Sequence, residues 1–464
     1  MGYDTVIRGG TVITATSTQP ADIAITGGRI AAVGAGLAQG THEINAAGRL
    51  IAPGGVDPHC HIEQLSGMGV MTADTFETGT AAAAMGGTTT VISFAAQAKG
   101  QRPADAMADY AARAARGARI DHAFHFSVTD PTAPSFAEDI ASLAAEGHRS
   151  VKVFTTYNIA LTDAEILAIM DVTGPTGALL CVHAETDAIV GRARARLLAA
   201  GRTRPLDHAT SRPKSAEIEA VRRVCRFAEL TGAPTMIFHV TCAEAVDEVR
   251  AARARGAPVW GETCTHYLFQ TEADLDRPGM EGAKWMCSPP QRSAADQEAL
   301  WQALGEGVLC LVSSDHAPYR FDDTGKLRAG PEPSFDKIAN GQPGLELRLP
   351  LLFDAMVSQG RLGAEAFVAL TATTPARLYG LTGKGDIAPG FDADLVIWDP
   401  ARRHTYGAND LHDNVGYNPF EGRTITGYPE RVVLRGTEIV ANGALNAAPG
   451  SGRWVDRPAL GLPL

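Results

Sequence analysis

The sequence lacks any long apolar run. The longest uncharged stretch, residues 78–98, is interrupted by threonines and glycines, so no apolar run has the roughly 20 residues that a membrane-spanning helix needs. The opening residues Met1-Gly2-Tyr3-Asp4 lead directly into a strand-like segment, without the charged and apolar regions of a secretion signal. We therefore expect no membrane partner and a cytoplasmic location.

Cysteine is scarce, with seven residues in a chain of 464. They are odd in number, scattered along the chain and without paired zinc-finger spacing. We expect reduced, mostly buried thiols.

Positive charge is in deficit, because 41 Lys and Arg residues face 52 Asp and Glu residues and leave a formal net charge of -11. Nucleic-acid binding depends on basic surfaces that release counterions, so nucleic acid is excluded as an expected partner. The densest basic run, residues 192–204, has the pattern of a solvated helical face. The 45% hydrophobic and 20% charged residues are typical of a soluble globular enzyme.

Both ends of the chain contain short β patterns. They occupy parts of residues 5–33 and return at 393–399 and 431–443, which predicts one small β-sandwich domain built from both ends. Between them, apolar strand-like runs alternate with Ala-rich helical segments, the pattern of parallel βα units. The eight strand-like runs are Leu50 to Val56, Thr88 to Phe94, His122 to Val128, Ser150 to Phe154, Ala178 to Val182, Thr235 to Phe238, Pro258 to Thr263 and Val308 to Ser313.

Eight strands are the number that closes a (β/α)₈ barrel. A doubly wound open sheet is the alternative, but it does not require eight strands or chain ends that meet outside them. We predict an α/β fold with a β-sandwich part at 1–50, a (β/α)₈ barrel at 51–383, and the second β-sandwich part with a tail at 384–464. Helices are predicted over Ala104 to Arg116, Phe136 to Ala145, Asp163 to Met170, Ala216 to Leu230, Ala243 to Arg255 and Ala294 to Leu304.

Polar residues with metal-binding side chains fall at the carboxyl ends of the runs, where the active sites of such barrels form. His59 and His61 share one face of an extended segment, so both imidazoles can reach one ion while Cys60 points away. One such residue alone is more often a hydrogen-bonded structural group, but their joint placement predicts a binuclear site. The candidate ligands are His59, His61, Lys152, His183, His239 and Asp315.

A buried ammonium at Lys152 would repel divalent cations and resist desolvation. Reaction of the neutral amine with CO₂ removes this conflict, because the product is a carboxylate-like group with two oxygens that can bridge two cations. We therefore expect His59, His61 and Asp315 on one metal, His183 and His239 on the other, and carbamylated Lys152 between them.

The chain resembles the amidohydrolase superfamily, and within it the cyclic amidases called dihydropyrimidinases or hydantoinases. The resemblance spans nearly the whole chain. It is carried by Gly54-Gly55-Val56-Asp57-Pro58-His59-Cys60-His61, Thr78-Gly79-Thr80, Gly86-Gly87-Thr88-Thr89, Val151-Lys152-Val153-Phe154, Val182-His183-Ala184-Glu185, Phe238-His239-Val240, Ser288-Pro289-Pro290, Ser314-Asp315-His316 and Asn340-Gly341-Gln342-Pro343-Gly344.

This resemblance implies two zinc-type ions, an N6-carboxylated Lys152, and a metal-bridging hydroxide that attacks the carbonyl of a small cyclic amide. Asp315 would take the proton of the bridging water and deliver it to the leaving ring nitrogen. Tyr157 would donate a hydrogen bond to the developing oxyanion, and main-chain groups at Ser288 and Asn340 would hold the ring. A homotetramer is expected by the same resemblance.

Substrate choice stays open at this level. The expected substrates are dihydropyrimidines, hydantoins or cyclic imides, and an allantoinase-type enzyme is the near alternative. A dihydroorotase fits less well, since those enzymes resemble His-x-His-x-Arg and Glu63 occupies the Arg position here. A non-catalytic scaffold homologue would have lost ligands, whereas all six are present. The loops at 62–71 and 158–163 depart from the family pattern.

Overall fold

The computed structural model describes residues 2–458 and 460–461. Its strands, in chain order, are β1 Tyr3–Ile13, β2 Thr18–Thr26, β3 Arg29–Gly34, β4 Gly40–Asn45, β5 Leu50–Pro53, β6 Gly55–Cys60, β7 Thr88–Ala96, β8 Asp121–Ser127, β9 Ser150–Phe154, β10 Leu179–His183, β11 Thr235–Ile237, β12 Val259–Cys264, β13 Leu309–Ser313, β14 Leu395–Thr405, β15 Thr424–Leu434, β16 Thr437–Ala441 and β17 Ala444–Leu445.

Helices alternate with the central strands. The α-helices are α1 Phe76–Met85, α2 Pro103–Gly117, α3 Phe136–Ala145, α4 Asp163–Thr176, α5 Asp187–Ala199, α6 Pro205–Ser211, α7 Lys214–Thr231, α8 Ala243–Ala254, α9 Thr265–Phe269, α10 Ala294–Gly305, α11 Arg348–Phe353, α12 Ala364–Val368 and α13 Thr374–Leu378. Short 3₁₀ turns lie at Glu272–Leu275, Glu281–Trp285 and Phe335–Lys337, and π-helical turns at Asp354–Ser358 and Ala369–Thr373.

Strands β6 to β13 form one sheet in chain order, each parallel to its neighbour. The last strand packs against the first, so the sheet curves into a nearly closed barrel. The predicted (β/α)₈ barrel is confirmed, and the open doubly wound sheet is wrong. All six predicted helices are present, and α3 has the predicted bounds. Helix α4 shows why such starts can be predicted, because Thr162 and Glu165 form a reciprocal capping box at its first turn.

The first predicted barrel strand, over residues 50–56, is partly wrong. Leu50–Pro53 pairs with β1 and β14 in the other sheet, and the barrel strand is Gly55–Cys60. The chain passes between the two sheets at Gly54, where a Cβ would lie 2.1 Å from the Thr89 hydroxyl. An unbroken apolar run spans both strands, so its hydrophobicity alone does not mark the crossing.

The two chain ends meet in the second sheet, as predicted. Its nine strands combine β1–β5 with β14–β17, and β5 pairs antiparallel with β14. The domain limits 1–50, 51–383 and 384–464 stay a prediction. The described tail returns to the barrel, where the fully buried Arg457 side chain donates to the Phe124 carbonyl (2.6 Å) and the Ser150 hydroxyl (2.9 Å).

Three further features bear on the expected environment and surface. None of the helices in the described ranges combines the length and the hydropathy that crossing a membrane requires. All seven cysteines are free, and all except the partly exposed Cys310 are buried, as predicted. The arginines of the basic run at 192–204 are all exposed, which confirms the solvated face.

Candidate metal centre and substrate cavity

One cavity of about 570 Å³ opens at the carboxyl ends of the barrel strands. All nine residues selected from the sequence line it, although they come from widely separated parts of the chain. They are His59, His61, Lys152, Tyr157, His183, His239, Ser288, Asp315 and Asn340.

His59, His61 and Asp315 form the tightest group. Oδ1 of Asp315 lies 3.1 Å from Nε2 of His59 and 3.3 Å from Nε2 of His61. The far nitrogens are also held, since His59 Nδ1 hydrogen-bonds to the Glu262 carboxylate and His61 Nδ1 lies 2.7 Å from Oε1 of Gln64. Burial disfavours the imidazolium, but Asp315 and Glu262 outweigh it and raise the pKa of His59 to about 9. The three side chains each offer one ligand atom, and these atoms lie close enough together to hold one metal ion.

Lys152, His183 and His239 occupy the adjoining wall. The two imidazole centroids are 4.5 Å apart, and Nζ of Lys152 lies 4.0 Å from the Phe238 ring centroid and 4.9 Å from that of Phe154. The lysine is buried, and no carboxylate of the described residues pairs with it. Burial lowers the pKa of Lys152 to about 8, so a fraction of this side chain is the neutral, nucleophilic amine near neutral pH.

The backbone is strained at three of these positions. Tyr157, His239 and Asp315 have φ values of +75°, +40° and +42°, within the left-handed region that L-residues rarely adopt. Only seven non-glycine residues of the described chain have positive φ, so nearly half of them line the cavity. Such strain concentrates at functional sites because the surrounding structure must hold it.

Tyr157 stands beside the His183 wall. Its ring centroid is 5.2 Å from that of His183, and the Arg212 guanidinium lies 4.6 Å from the Tyr157 ring centroid. Arg212 is itself paired with the buried Glu185 carboxylate, whose Oε2 also lies 2.8 Å from Nε2 of His183. Burial raises the pKa of Tyr157 to about 12, so its hydroxyl keeps its proton at neutral pH and can donate it in a hydrogen bond.

Ser288 and Asn340 lie on two segments that meet at the cavity. The Gly341 amide donates to the Met286 carbonyl at 2.8 Å and joins the segments. Gly341 has φ of +148°, and a Cβ there would lie 2.3 Å from the Ala317 carbonyl oxygen, so glycine is required. This close approach sets the turn that places Asn340.

The chain is similar to known proteins over nearly its whole length. Residues 50–439 match the sequence model of the protein family described as "Amidohydrolase family". A D-hydantoinase of Rhizobium radiobacter is 40% identical over 460 residues, which cover 98% of this chain and 99% of the relative. The chain belongs to the amidohydrolase family. The crystal structure of a dihydropyrimidinase from Brevibacillus agri has a TM-score of 0.95 and 39% identity, covering 99% of this chain and 100% of the other.

Another solved structure similar in fold is that of an L-hydantoinase (dihydropyrimidinase) from Arthrobacter aurescens. Its TM-score is 0.88 and its identity 27%, over 98% of this chain and 100% of the other. The resemblance predicted from the motifs is therefore confirmed. The chain is 40% identical to the D-hydantoinase and 27% identical to the L-hydantoinase.

The amidohydrolase family is metal-dependent, and the residues present fit a metal. His59, His61 and Asp315 offer nitrogen and oxygen ligand atoms that all lie within 4.8 Å of one another. Nδ1 of buried His239 has no hydrogen-bond partner among the described residues. Among the same residues, buried Lys152 lacks an acidic partner. Burying an unpaired ammonium costs free energy unless a bound or covalently attached group compensates its charge.

Some residues around the site were not selected from the sequence. Glu262, Glu185 and Arg212 were missed, although a glutamate inside the buried strand Val259–Cys264 is a usable signal because an unpaired carboxylate is costly there. Cys60 points away from the metal side and its Sγ lies 3.8 Å from the Ile92 carbonyl, as predicted. His266 is buried but does not line the cavity.

Proposed function

We propose that this chain opens cyclic amide rings by hydrolysis, with dihydropyrimidines and 5-substituted hydantoins as its principal substrate class. The observation that carries this proposal is the convergence of all nine predicted site residues on one cavity, in a chain similar to a D-hydantoinase over 98% of its length. A non-catalytic scaffold homologue has little support, because each of the six expected ligand positions holds a suitable side chain.

We propose two divalent ions, most simply zinc, with His59, His61 and Asp315 holding one and His183 and His239 the other. Lys152 would bridge them as its CO₂-derived carbamate, and its unpaired amine with a pKa of about 8 supports that modification. When bound, such a pair of ions lowers the pKa of water and polarises a carbonyl oxygen.

The remaining roles belong to side chains and main-chain groups of this protein. The Asp315 carboxylate accepts the proton of the attacking water and returns it to the ring nitrogen as the C–N bond breaks. The Tyr157 hydroxyl donates a hydrogen bond to the carbonyl oxygen as negative charge develops there. Main-chain groups at Ser288 and Asn340 face the alternating N–H and C=O edge of the ring.

An allantoinase-type activity is the second candidate function, and the polar residues that line the cavity support it. Gln64, Ser66 and Asn158 line the cavity alongside Met68, and the Asn158 amide donates to the Gly67 carbonyl at 2.8 Å. Polar groups on both loops suit a ring substituent that forms hydrogen bonds, such as a ureido group.

A hydrolysis panel tests the proposal. The zinc- and bicarbonate-reconstituted protein is assayed with dihydrouracil, hydantoin, both enantiomers of 5-phenylhydantoin, allantoin, succinimide, glutarimide and phthalimide. We expect ring opening of dihydrouracil and hydantoins, with the D-enantiomer preferred. Exclusive turnover of allantoin favours the second candidate, and turnover of none contradicts the proposal.

We also propose a homotetramer on the resemblance alone, and a cytoplasmic location. The free cysteines support the latter, since disulfides are uncommon in reducing compartments. Light scattering of the purified protein checks the assembly, and fractionation of cells checks the location.

A further inference from the structure

Lys326 is a second buried lysine near the cavity, outside the expected metal centre. Its side chain is fully buried, and Nζ donates to the carbonyl oxygens of Ala339 at 3.0 Å and Met286 at 3.4 Å. No carboxylate in the described part of the chain forms an ion pair with it. A buried amine without an acidic partner is costly, so the two carbonyl contacts need an explanation.

Lys384 shows what a purely structural buried lysine looks like in the same protein. Its Nζ lies 2.6 Å from an oxygen of Asp121, 2.7 Å from Asp394 and 3.0 Å from Asp392, so three carboxylates compensate its charge. Burial lowers the pKa of Lys326 to about 7. Both the neutral amine and the ammonium carry N–H donors, so the two hydrogen bonds do not depend on the protonation state. The Lys326 contacts therefore serve backbone hydrogen bonding and not charge pairing.

The two carbonyls belong to the segments that carry the expected ring contacts. Ala339 directly precedes Asn340, and Met286 lies two residues before Ser288. Lys326 bridges the segments from behind, without lining the cavity itself. A lateral shift of either segment would change the distance between the two groups that face the ring.

We propose that Lys326 is a positioning residue that fixes the spacing of the Ser288 and Asn340 segments and thereby sets the affinity for the cyclic amide. This inference rests on the proposed function. Lys326 does not line the cavity, and its hydrogen bonds go to the Met286 and Ala339 carbonyls and not to an expected metal ligand. We therefore expect its effect on ring binding and not on the chemical step. Its loss leaves the buried Ala339 carbonyl without its lysine donor.

Three variants test the inference by steady-state kinetics with dihydrouracil, metal analysis and thermal unfolding. Lys326→Met keeps the length and apolar stem but removes the donor. We expect KM to rise about tenfold, kcat to stay within about twofold, and metal content to stay unchanged. Lys326→Gln retains an N–H donor, and its KM should lie between those of the wild type and Lys326→Met. Lys337→Met, at an exposed lysine close to the same segment, should match wild type.

The outcomes separate the two proposals. An active wild type with unchanged KM in Lys326→Met overturns this inference alone. Equal falls in kcat and metal content, with KM unchanged, also overturn it, because they show a general structural role. If Lys326→Met does not fold, Lys326→Gln carries the test through the smaller rise in KM expected of its shorter donor, and an unchanged KM in that variant overturns the inference. A wild type that opens no ring overturns the proposed function and this inference with it.

Discussion

The buried Glu262 carboxylate accepts a hydrogen bond from Nδ1 of His59, the imidazole whose Nε2 faces Asp315. Glu262 is thus placed to fix the orientation and tautomer of a metal-binding histidine. We predict that Glu262→Gln weakens metal affinity by about 10- to 100-fold, a range typical for loss of such a contact.

Competition with a chelator of known affinity measures this effect. Glu346→Gln is the matched control, because Glu346 is also buried and pairs with a histidine, His412, but does not line the cavity. Equal metal affinity in Glu262→Gln and wild type would refute the assigned role.

Tyr157→Phe tests the oxyanion contact. Removing the hydroxyl should lower kcat by about 10²- to 10³-fold with a small change in KM, because the hydrogen bond strengthens only as charge develops. Tyr319→Phe is the control, since Tyr319 lines the same cavity without an assigned chemical role. Similar rates for the two variants would contradict the assignment.

Substitution of Glu63 tests whether this position contacts substrate, as the Arg at the same position of the dihydroorotase pattern does. The Glu63 carboxylate accepts a hydrogen bond from the Phe76 amide at 3.0 Å, at the start of α1, and does not line the cavity. We predict that Glu63→Ala leaves kcat/KM within about twofold but costs roughly 1 kcal/mol of stability through the lost helix cap. Denaturant unfolding and kinetics on the same preparation check both parts. A large rise in KM would return Glu63 to the substrate site.

Stability should fall in acid, and His148 contributes. Burial and the Arg457 cation lower its pKa from 6.5 to about 4. Between these values the unfolded chain binds a proton that the folded chain does not, so stability is lost as pH falls from about 6.5 towards 4. His148→Gln cannot titrate and should lose about 2 kcal/mol less than wild type over this range. Parallel unfolding profiles of the two proteins would exclude this contribution.

The periodic features of the chain could be predicted because they follow local rules. Ser150–Phe154 is strand and Phe136–Ala145 helix within the expected bounds, since apolar pattern and flanking polar residues determine both. The break at Gly54 could not, because it depends on contact with Thr89 from a distant strand. Likewise, the selected ligands could be found from their positions at strand ends.

Groups that act through others were harder to find from sequence. Glu262 and Arg212 have meaning only once the fold brings them to His59 and Tyr157. Lys326 reaches the Met286 carbonyl across 40 residues of chain, and no local pattern encodes that contact. Such pairings are set by tertiary packing.

Lys152→Ala tests the central claim most directly, when metal content and hydantoin ring opening are measured together in the variant and the wild type. We predict two bound divalent ions and hydrolysis in the wild type, loss of both in the variant, and partial recovery of both with added short carboxylic acids that replace the bridge. Lys337→Ala, at an exposed lysine, should retain both properties. Full metal content and activity in unrescued Lys152→Ala would contradict the account.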